Sequence, residues 1–146
     1  MKLKQISVPI ENSHTRLYEL IRELDDNGIN PRGLTLVDTG NLGEVRMLVS
    51  DTAKARQILM QMDMPGRIDD VVAVRIDIPD QLSDLLSRLM AAGITVNYGY
   101  ALTGMESEDS TMIFRFNDND KAIRVLRERV TRLEDRDAME QLQAAC

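Results

Sequence analysis

An α+β fold built from two successive βαββαβ units is what this sequence predicts, and three observations carry the expectation. Apolar residues alternate at period two in short segments and recur at helical spacing in the segments between them. The two halves of the chain repeat each other in register. Within each half the segments come in one order: strand, helix, strand, strand, helix, strand.

The repeat sets the organisation. The helical set Leu17, Leu20, Ile21, Leu24, Gly28 and Ile29 returns as Leu82, Leu85, Leu86, Leu89, Gly93 and Ile94, an offset of 65 (17 to 82). The strand Ile6, Val8, Ile10, Glu11 returns as Val72, Val74, Ile76, Asp77, an offset of 66 (6 to 72). Asp51, Lys54, Ala55, Ile58 and Leu59 return as Asp118, Lys121, Ala122, Val125 and Leu126, an offset of 67 (51 to 118). Each change of offset falls in a loop, where length is free to vary, so the pattern is that of a duplicated fold. Domain boundaries follow: 1–70, 71–134, and a C-terminal helical tail over 135–146.

In the first half a strand over about 4–11 presents Ile6, Val8 and Ile10 on one face. A helix over about 15–27 has apolar positions at i, i+3, i+4 and i+7 and closes at Gly28. Strands near 32–38 and 44–50 flank the turn formers at 38–43. Asp51 or Thr52 caps a second helix running to about Met62, and a short strand near 67–71 ends the half. The second half gives strands at 72–77, 95–103 and 111–116 and helices at 80–92 and 119–129. A short strand at Val130–Leu133 completes it, with continuation of the preceding helix as the alternative, and a terminal helix starts near Asp135. This order is the ferredoxin-like split βαβ arrangement, an antiparallel sheet with both helices on one face. Its first strand is internal, and Pro9 cannot donate to a ladder, so a bulge or open pairing is expected there.

Composition excludes several classes. At 146 residues, 43% hydrophobic and 29% charged, the chain suits one ordinary globular domain or two small ones. No apolar run approaches the ~18 residues of a membrane span. The N-terminus enters strand-like alternation with no secretory core, which reads as cytoplasmic. A net charge of −6 argues against nucleic acid, whose binders show a basic face. The basic run Arg124, Arg127, Arg129, Arg132 reads as the solvated side of a helix. One cysteine, Cys146 at the terminus, leaves no disulfide or thiolate cluster within the chain and no set environment to activate a thiol. His14 is the sole histidine, with no Ser/His/Asp or Cys/His partners near it in sequence, so neither catalysis nor a metal site is expected, and no cofactor.

With the repeat and element order in hand, the chain resembles the stand-alone tandem ACT proteins of bacteria. The ACT pattern runs E-N-x-P-G-R-L into the first helix, then A-G-I-N-I-R-A-L-S-L-A-D-T. Here Glu11 to Leu17 reads ENSHTRL and Asn27 to Thr39 reads NGINPRGLTLVDT; the second half has DIPDQL at 77–82 and AGITVNYGYA at 92–101. The resemblance spans residues 3 to about 133. It implies a site for a free amino acid where two ACT domains meet. One domain supplies the loop before its first helix, and the neighbour supplies the start of its second strand. The residues so implied are Asn12, Ser13, His14, Thr15, Arg16, Leu17, Asn30 and Arg32 in the first half, with Ile78, Pro79, Asp80, Gln81, Asn97 and Tyr98 in the second. The first N–H groups of a helix lack intrahelical partners and can receive a carboxylate.

Departures from the pattern bear on that site. The Pro-Gly pair is His14-Thr15 in the first half, and Asp80 replaces the glycine after Pro79 in the second. Thr15 and Asp80 are N-cap types whose side chains would take the same N–H groups, and Asp80 adds a repelling charge. His14 reads first as a surface loop residue and second as a ligand or interface contact. Asn12 and Asn30 serve equally as ligand contacts or as turn and cap residues. Arg32 is either a carboxylate partner or an exposed arginine at a strand start. Tyr98 and Tyr100 share a strand face and suit an interface; Met60, Met62 and Met64 suit packing. The leading expectation is a non-catalytic regulatory protein that binds an amino acid or related metabolite at domain junctions. It assembles as a homodimer or higher homo-oligomer, with no nucleic-acid or membrane partner. The alternative is an interaction subunit that regulates an enzyme or signalling protein without a ligand.

Overall fold

The computed structural model describes residues 2–11, 15–38, 40, 42–76, 80–102 and 110–127. Among them the elements run β1 (Lys2–Glu11), α1 (Arg16–Asp26), β2 (Gly33–Asp38), β3 (Leu42–Leu48), α2 (Thr52–Gln61), β4 (Arg67–Ile76), α3 (Asp80–Ala91), β5 (Val96–Ala101), β6 (Ser110–Phe116) and α4 (Asn119–Arg127). They form two compact units, residues 4–69 and residues 2–3 with 70–127. The strands β1 and β4, ten residues each, contribute to both. The segments expected as separate strands at 67–71 and 72–77 are therefore one strand, because the β-branched run through Val71 and Val72 leaves no breaker between them.

In the first unit the strands lie in the order β4–β1–β3–β2, and β3 pairs antiparallel with both its neighbours. Ile6, Val8 and Ile10 share one core with Val45 and Met47 of β3, Leu20 and Leu24 of α1, and Ala55, Ile58 and Leu59 of α2. Alternate strand residues face one way, so both helices cover the same sheet face. The bulge expected at Pro9 is not found on the β3 side: the register runs unshifted from Ile6↔Met47 through Pro9↔Glu44 to Glu11↔Leu42. Ser7 bonds Asp69, and β4 begins only two residues before Asp69.

The second unit has the order β1–β4–β6–β5, again antiparallel between β4, β6 and β5. Its core joins Val72, Val74, Phe114 and Phe116 to Leu85 and Leu89 of α3 and Ala122, Ile123 and Leu126 of α4. The outer flank of β4 is held by the first residues of β1. The strand expected at Val130–Leu133 and the tail from Asp135 lie outside the described residues.

Helix ends follow the repeat. Gly28 and Gly93 take positive φ (75° and 74°) after α1 and α3. Ile29 N donates to Leu24 O and Gly28 N to Asp25 O; Ile94 and Gly93 make the same pair to Leu89 and Met90. Both are Schellman closures. Asp51 caps α2 by accepting from Lys54 N at 3.0 Å. Met64 packs as expected, but Met60 is 62% exposed. No helix among the described residues is long and apolar enough to cross a membrane.

Candidate functional site

Strand register decides which residues can share a site. In the first unit Glu11 pairs with Leu42 and Asp38 with Gly43, so β1 and β2 both end beside the start of β3. The chain then enters α1 at Arg16. A cleft of about 70 Å³ lies at this end, lined by Ile10, Glu11, Leu17, Leu36, Val37, Asp38 and Gly43. A Cβ at Gly43 would sit 3.3 Å from Ile10 Cγ2 and from Leu36 Cδ1, so the glycine lets those two side chains close the floor. Leu36 is half exposed, and the carboxylates of Glu11 and Asp38 stand in solvent. The arrangement offers an apolar wall and two anionic groups beneath the first turn of a helix.

That turn departs from expectation. Thr15 is the N-cap of α1, but its backbone is in the right-handed helical region (φ −91°, ψ −30°) and its side chain makes no capping bond. Capping needs an extended N-cap backbone that swings the hydroxyl over the N–H groups. The Thr15 side chain therefore does not occupy the donors a ligand would use. Arg16 bonds Glu19 (3.0 Å) and donates to the Met62 carbonyl at the end of α2 (2.8 Å), which ties the two helices together. Leu17 lines the cleft. Asn12, Ser13 and His14 lie outside the described residues, as do Ile78 and Pro79. Asp80 was expected as an N-cap; it is instead the first residue of α3, exposed, its carbonyl accepting from Ser83 Oγ at 3.1 Å. Gln81 follows it in the first turn, half-buried.

Asn30 and Arg32 stand at the other end of the sheet. Arg32 N donates to Leu48 O, and Gly33 pairs with Leu48 at the end of β3. Six-residue β2 separates them from the cleft by about 17 Å at ~3.3 Å per residue. The second unit repeats this: Ile76 pairs with Ser110, whereas Val96 pairs with Phe116. The loop before each first helix and the start of each second strand are thus at opposite ends of their own unit. One unit alone does not bring the two halves of the implied site together.

The start of β5 has a feature that periodicity does not reveal. Val96 pairs with Phe116 but Tyr98 with Arg115, so Asn97 is an inserted residue at a bulge. The insertion inverts the alternation. Gly99 then sits on the helix-covered face against Phe114, and Tyr98 and Tyr100 both point to the helix-free face.

On the helix-free face of the first unit, a polar chain crosses three strands. Gln5 Nε2 donates to Ser7 Oγ (3.1 Å), and Ser7 Oγ donates to Asp69 Oδ2 (2.9 Å). Arg67 Nε donates to both Asp69 oxygens (3.0 and 3.1 Å), and its Nη2 donates to Glu44 (3.0 Å). The bond to Asp69, helped by the charges of Asp69 and Glu44, raises the Arg67 pKa further. Gln5, Ser7 and Asp69 are buried, and this mutual bonding is what makes their burial tolerable. Sequence reasoning passed over the network, and also over Glu11, Leu36 and Asp38 as cleft residues, which strand register brings together. Among the described residues no three of His, Cys, Asp and Glu converge to hold a metal ion.

The paired βαββαβ units, with an open cleft at the first loop, are those of an ACT pair. The sequence matches the ACT domain pair family over residues 1–142, and the chain belongs to that family. A comparison with curated proteins finds no match. Among solved structures, a protein of Bacteroides thetaiotaomicron is 29% identical, covers 97% of each chain and superposes with a TM-score of 0.86. The ligand-free regulatory subunit of aspartate kinase from Thermus thermophilus shares the fold at 14% identity, covering 86% of this chain and 91% of that one, with a TM-score of 0.60. Its counterpart from Thermus flavus, at 14% identity, covers 86% and 90% with a TM-score of 0.55.

Proposed function

We propose that the protein is a non-catalytic regulatory sensor that binds a free amino acid or a closely related small metabolite at junctions between ACT domains. The observation that carries this reading is the cleft at the end of β1. Its chemistry matches a zwitterion: α1 N–H groups for the carboxylate, Glu11 and Asp38 for the ammonium, and Ile10, Leu17 and Leu36 for an apolar side chain. A cleft of about 70 Å³ is far below the ~300–1,000 Å³ that enclose drug-sized ligands, so it suits a small metabolite. The separation of about 17 Å between the cleft and the β2 start supports a composite site, completed by the β2 or β5 start of a neighbouring domain. A homodimer in which four ACT domains pair provides such neighbours, and β2 and β5 are the edge strands on which it can form. Binding would then shift the population of assembled or partner-competent states.

A panel of the twenty amino acids read by thermal unfolding tests this. A ligand at ~100 times its Kd stabilises the fold by ~2.7 kcal/mol, a rise of several degrees. A flat response from folded protein would defeat the sensing role. It would leave the second reading, a ligand-independent interaction subunit, which the replacement of both loop glycines (by Thr15 and Asp80) favours.

A further inference from the structure

The open edge of the first unit carries apolar side chains that its own core does not cover. Leu34 and Leu36 of β2 pair with Met47 and Val45, both core residues, so they lie on the helix-covered face. They are nonetheless 42% and 50% exposed, and Tyr18 of α1 is 68% exposed. Arg16 is tied to the Met62 carbonyl at the end of α2. Tyr18 stands ~200° around the helix from Arg16, on the flank away from α2. An edge strand is commonly blunted by a lysine, a proline or a bulge that keeps other chains off. Residues 33–38 have none of these, and their register with β3 runs unshifted from Gly33↔Leu48 to Asp38↔Gly43.

We propose that this edge pairs with the same edge of a second copy, β2 running antiparallel to the partner's β2 across a two-fold axis at Thr35. The pairing rests on the homodimer proposed above and commits it to one edge and one register. Arg32 to Asp38 reads RGLTLVD, which is complementary to its own reverse. Thr35 faces the partner's Thr35, Leu34 the partner's Leu36, and Arg32 the partner's Asp38. Each exposed leucine then meets a leucine and each charge its opposite, and the symmetry makes both contacts twice. A shift of one residue opposes side chains from different faces of the sheet. A shift of two sets Leu34 against Asp38 in one direction and Arg32 against Leu36 in the other. The ladder and the leucines supply affinity, and the exposed ion pairs fix the register. β5, the other edge, lacks this complementarity: VNYGYA has no charge, and the inserted Asn97 interrupts its backbone edge. The pairing also brings the start of the partner's β2 alongside Asp38, which lines the cleft.

Sedimentation of the full chain over a range of concentrations tests the pairing. Wild type should be a dimer that dissociates on dilution. Arg32→Glu and Asp38→Arg should each weaken it about tenfold or more, since each opposes like charges at both ends of the paired strands. An equimolar mixture of the two variants should recover the wild-type affinity, because the mixed dimer again sets an acid against a base at both ends. Arg32 and Asp38 are about 20 Å apart along their own strand, so no contact within one chain explains that recovery. Ala101→Glu on β5 should change nothing. A dimer indifferent to both β2 variants, a mixture no tighter than its components, or a dimer broken by Ala101→Glu would overturn the pairing and leave the homodimer standing. A monomer at every concentration would defeat the homodimer itself, and the pairing with it. Should the variants not fold, wild-type hydrogen exchange decides. Amides of residues 34–38 should exchange about tenfold faster after dilution to monomer, with 96–101 unchanged, and equal rates at both concentrations would overturn the proposal.

Discussion

Gly99→Ala should destabilise the protein even though position 99 is in an edge strand and exposed. A Cβ built there lies 2.8 and 2.9 Å from Phe114 Cδ1 and Cε1, and 3.3 Å from the Ile113 carbonyl oxygen. Carbon atoms pack best at ~3.5–4.0 Å, so the ring would have to retreat by ~0.7 Å. It has little room. Phe114 is 4% exposed, stacks on Phe116 at a centroid distance of 5.5 Å, and belongs to the core with α3 and α4. Overpacking of this kind costs ~1–3 kcal/mol. Restricting the unfolded chain returns ~0.4–1 kcal/mol. The net expectation is a loss of ~1–2 kcal/mol, or a fall of roughly 0.5–1 M in the urea midpoint at unchanged slope. A double-mutant cycle locates the cause: Phe114→Leu should cost less in the Gly99→Ala background than in wild type. A midpoint for Gly99→Ala at or above wild type, or strict additivity in the cycle, would refute the packing argument.

Asp69→Ala should cost about 2 kcal/mol in urea unfolding, because it strands the buried Ser7 hydroxyl; Asp69→Asn, which keeps an acceptor, should cost less. Glu11→Gln should leave stability unchanged but weaken any amino acid that stabilises the wild type by about tenfold, and an unaltered ligand response would remove Glu11 from the site. The bond from Lys2, at 2.6 Å, lowers the Asp120 pKa below 3.8 and raises that of Lys2 above 10.5. A depressed carboxylate pKa stabilises above its unfolded value and loses that contribution as pH falls through the folded value. The raised ammonium acts in the opposite sense, losing its contribution as pH rises through the folded Lys2 value. The pair therefore contributes fully between about pH 3.8 and 10.5. Asp120→Asn should flatten the pH dependence of stability below 3.8 and leave its slope near pH 7 alone.

Most of the fold was legible because burial leaves a periodic trace in each element. Leu20 and Leu24 in α1, Leu85 and Leu89 in α3, and Ile6, Val8 and Ile10 in β1 are buried where their spacing placed them. Gly28 and Gly93 announced their closures, since the left-handed residue after a helix is nearly always a glycine. The misreadings share one origin. Pro9 pointed to a bulge, yet its register against β3 is unshifted. Thr15 was judged by residue type, when capping depends on its ψ. Asn97 was placed in a regular strand, whereas it is inserted at a bulge; Tyr98 and Tyr100 still share one strand face, with Gly99 on the other.

The sequence alone determined the duplication, the order of elements, the side of each that is buried, and the resemblance to ACT domains. These are properties of residues close together along the chain, and local spacing records them directly. Only the tertiary structure decided that β1 and β4 are shared between the units, that Leu36 and Asp38 join Glu11 and Leu17 around one cleft, and that Asn30 and Arg32 stand at the far end. Each of these is a question of which strand flanks which and in what register. Register is fixed by hydrogen bonds between distant segments, and a shift of one residue redirects every side chain. No local pattern contains that information.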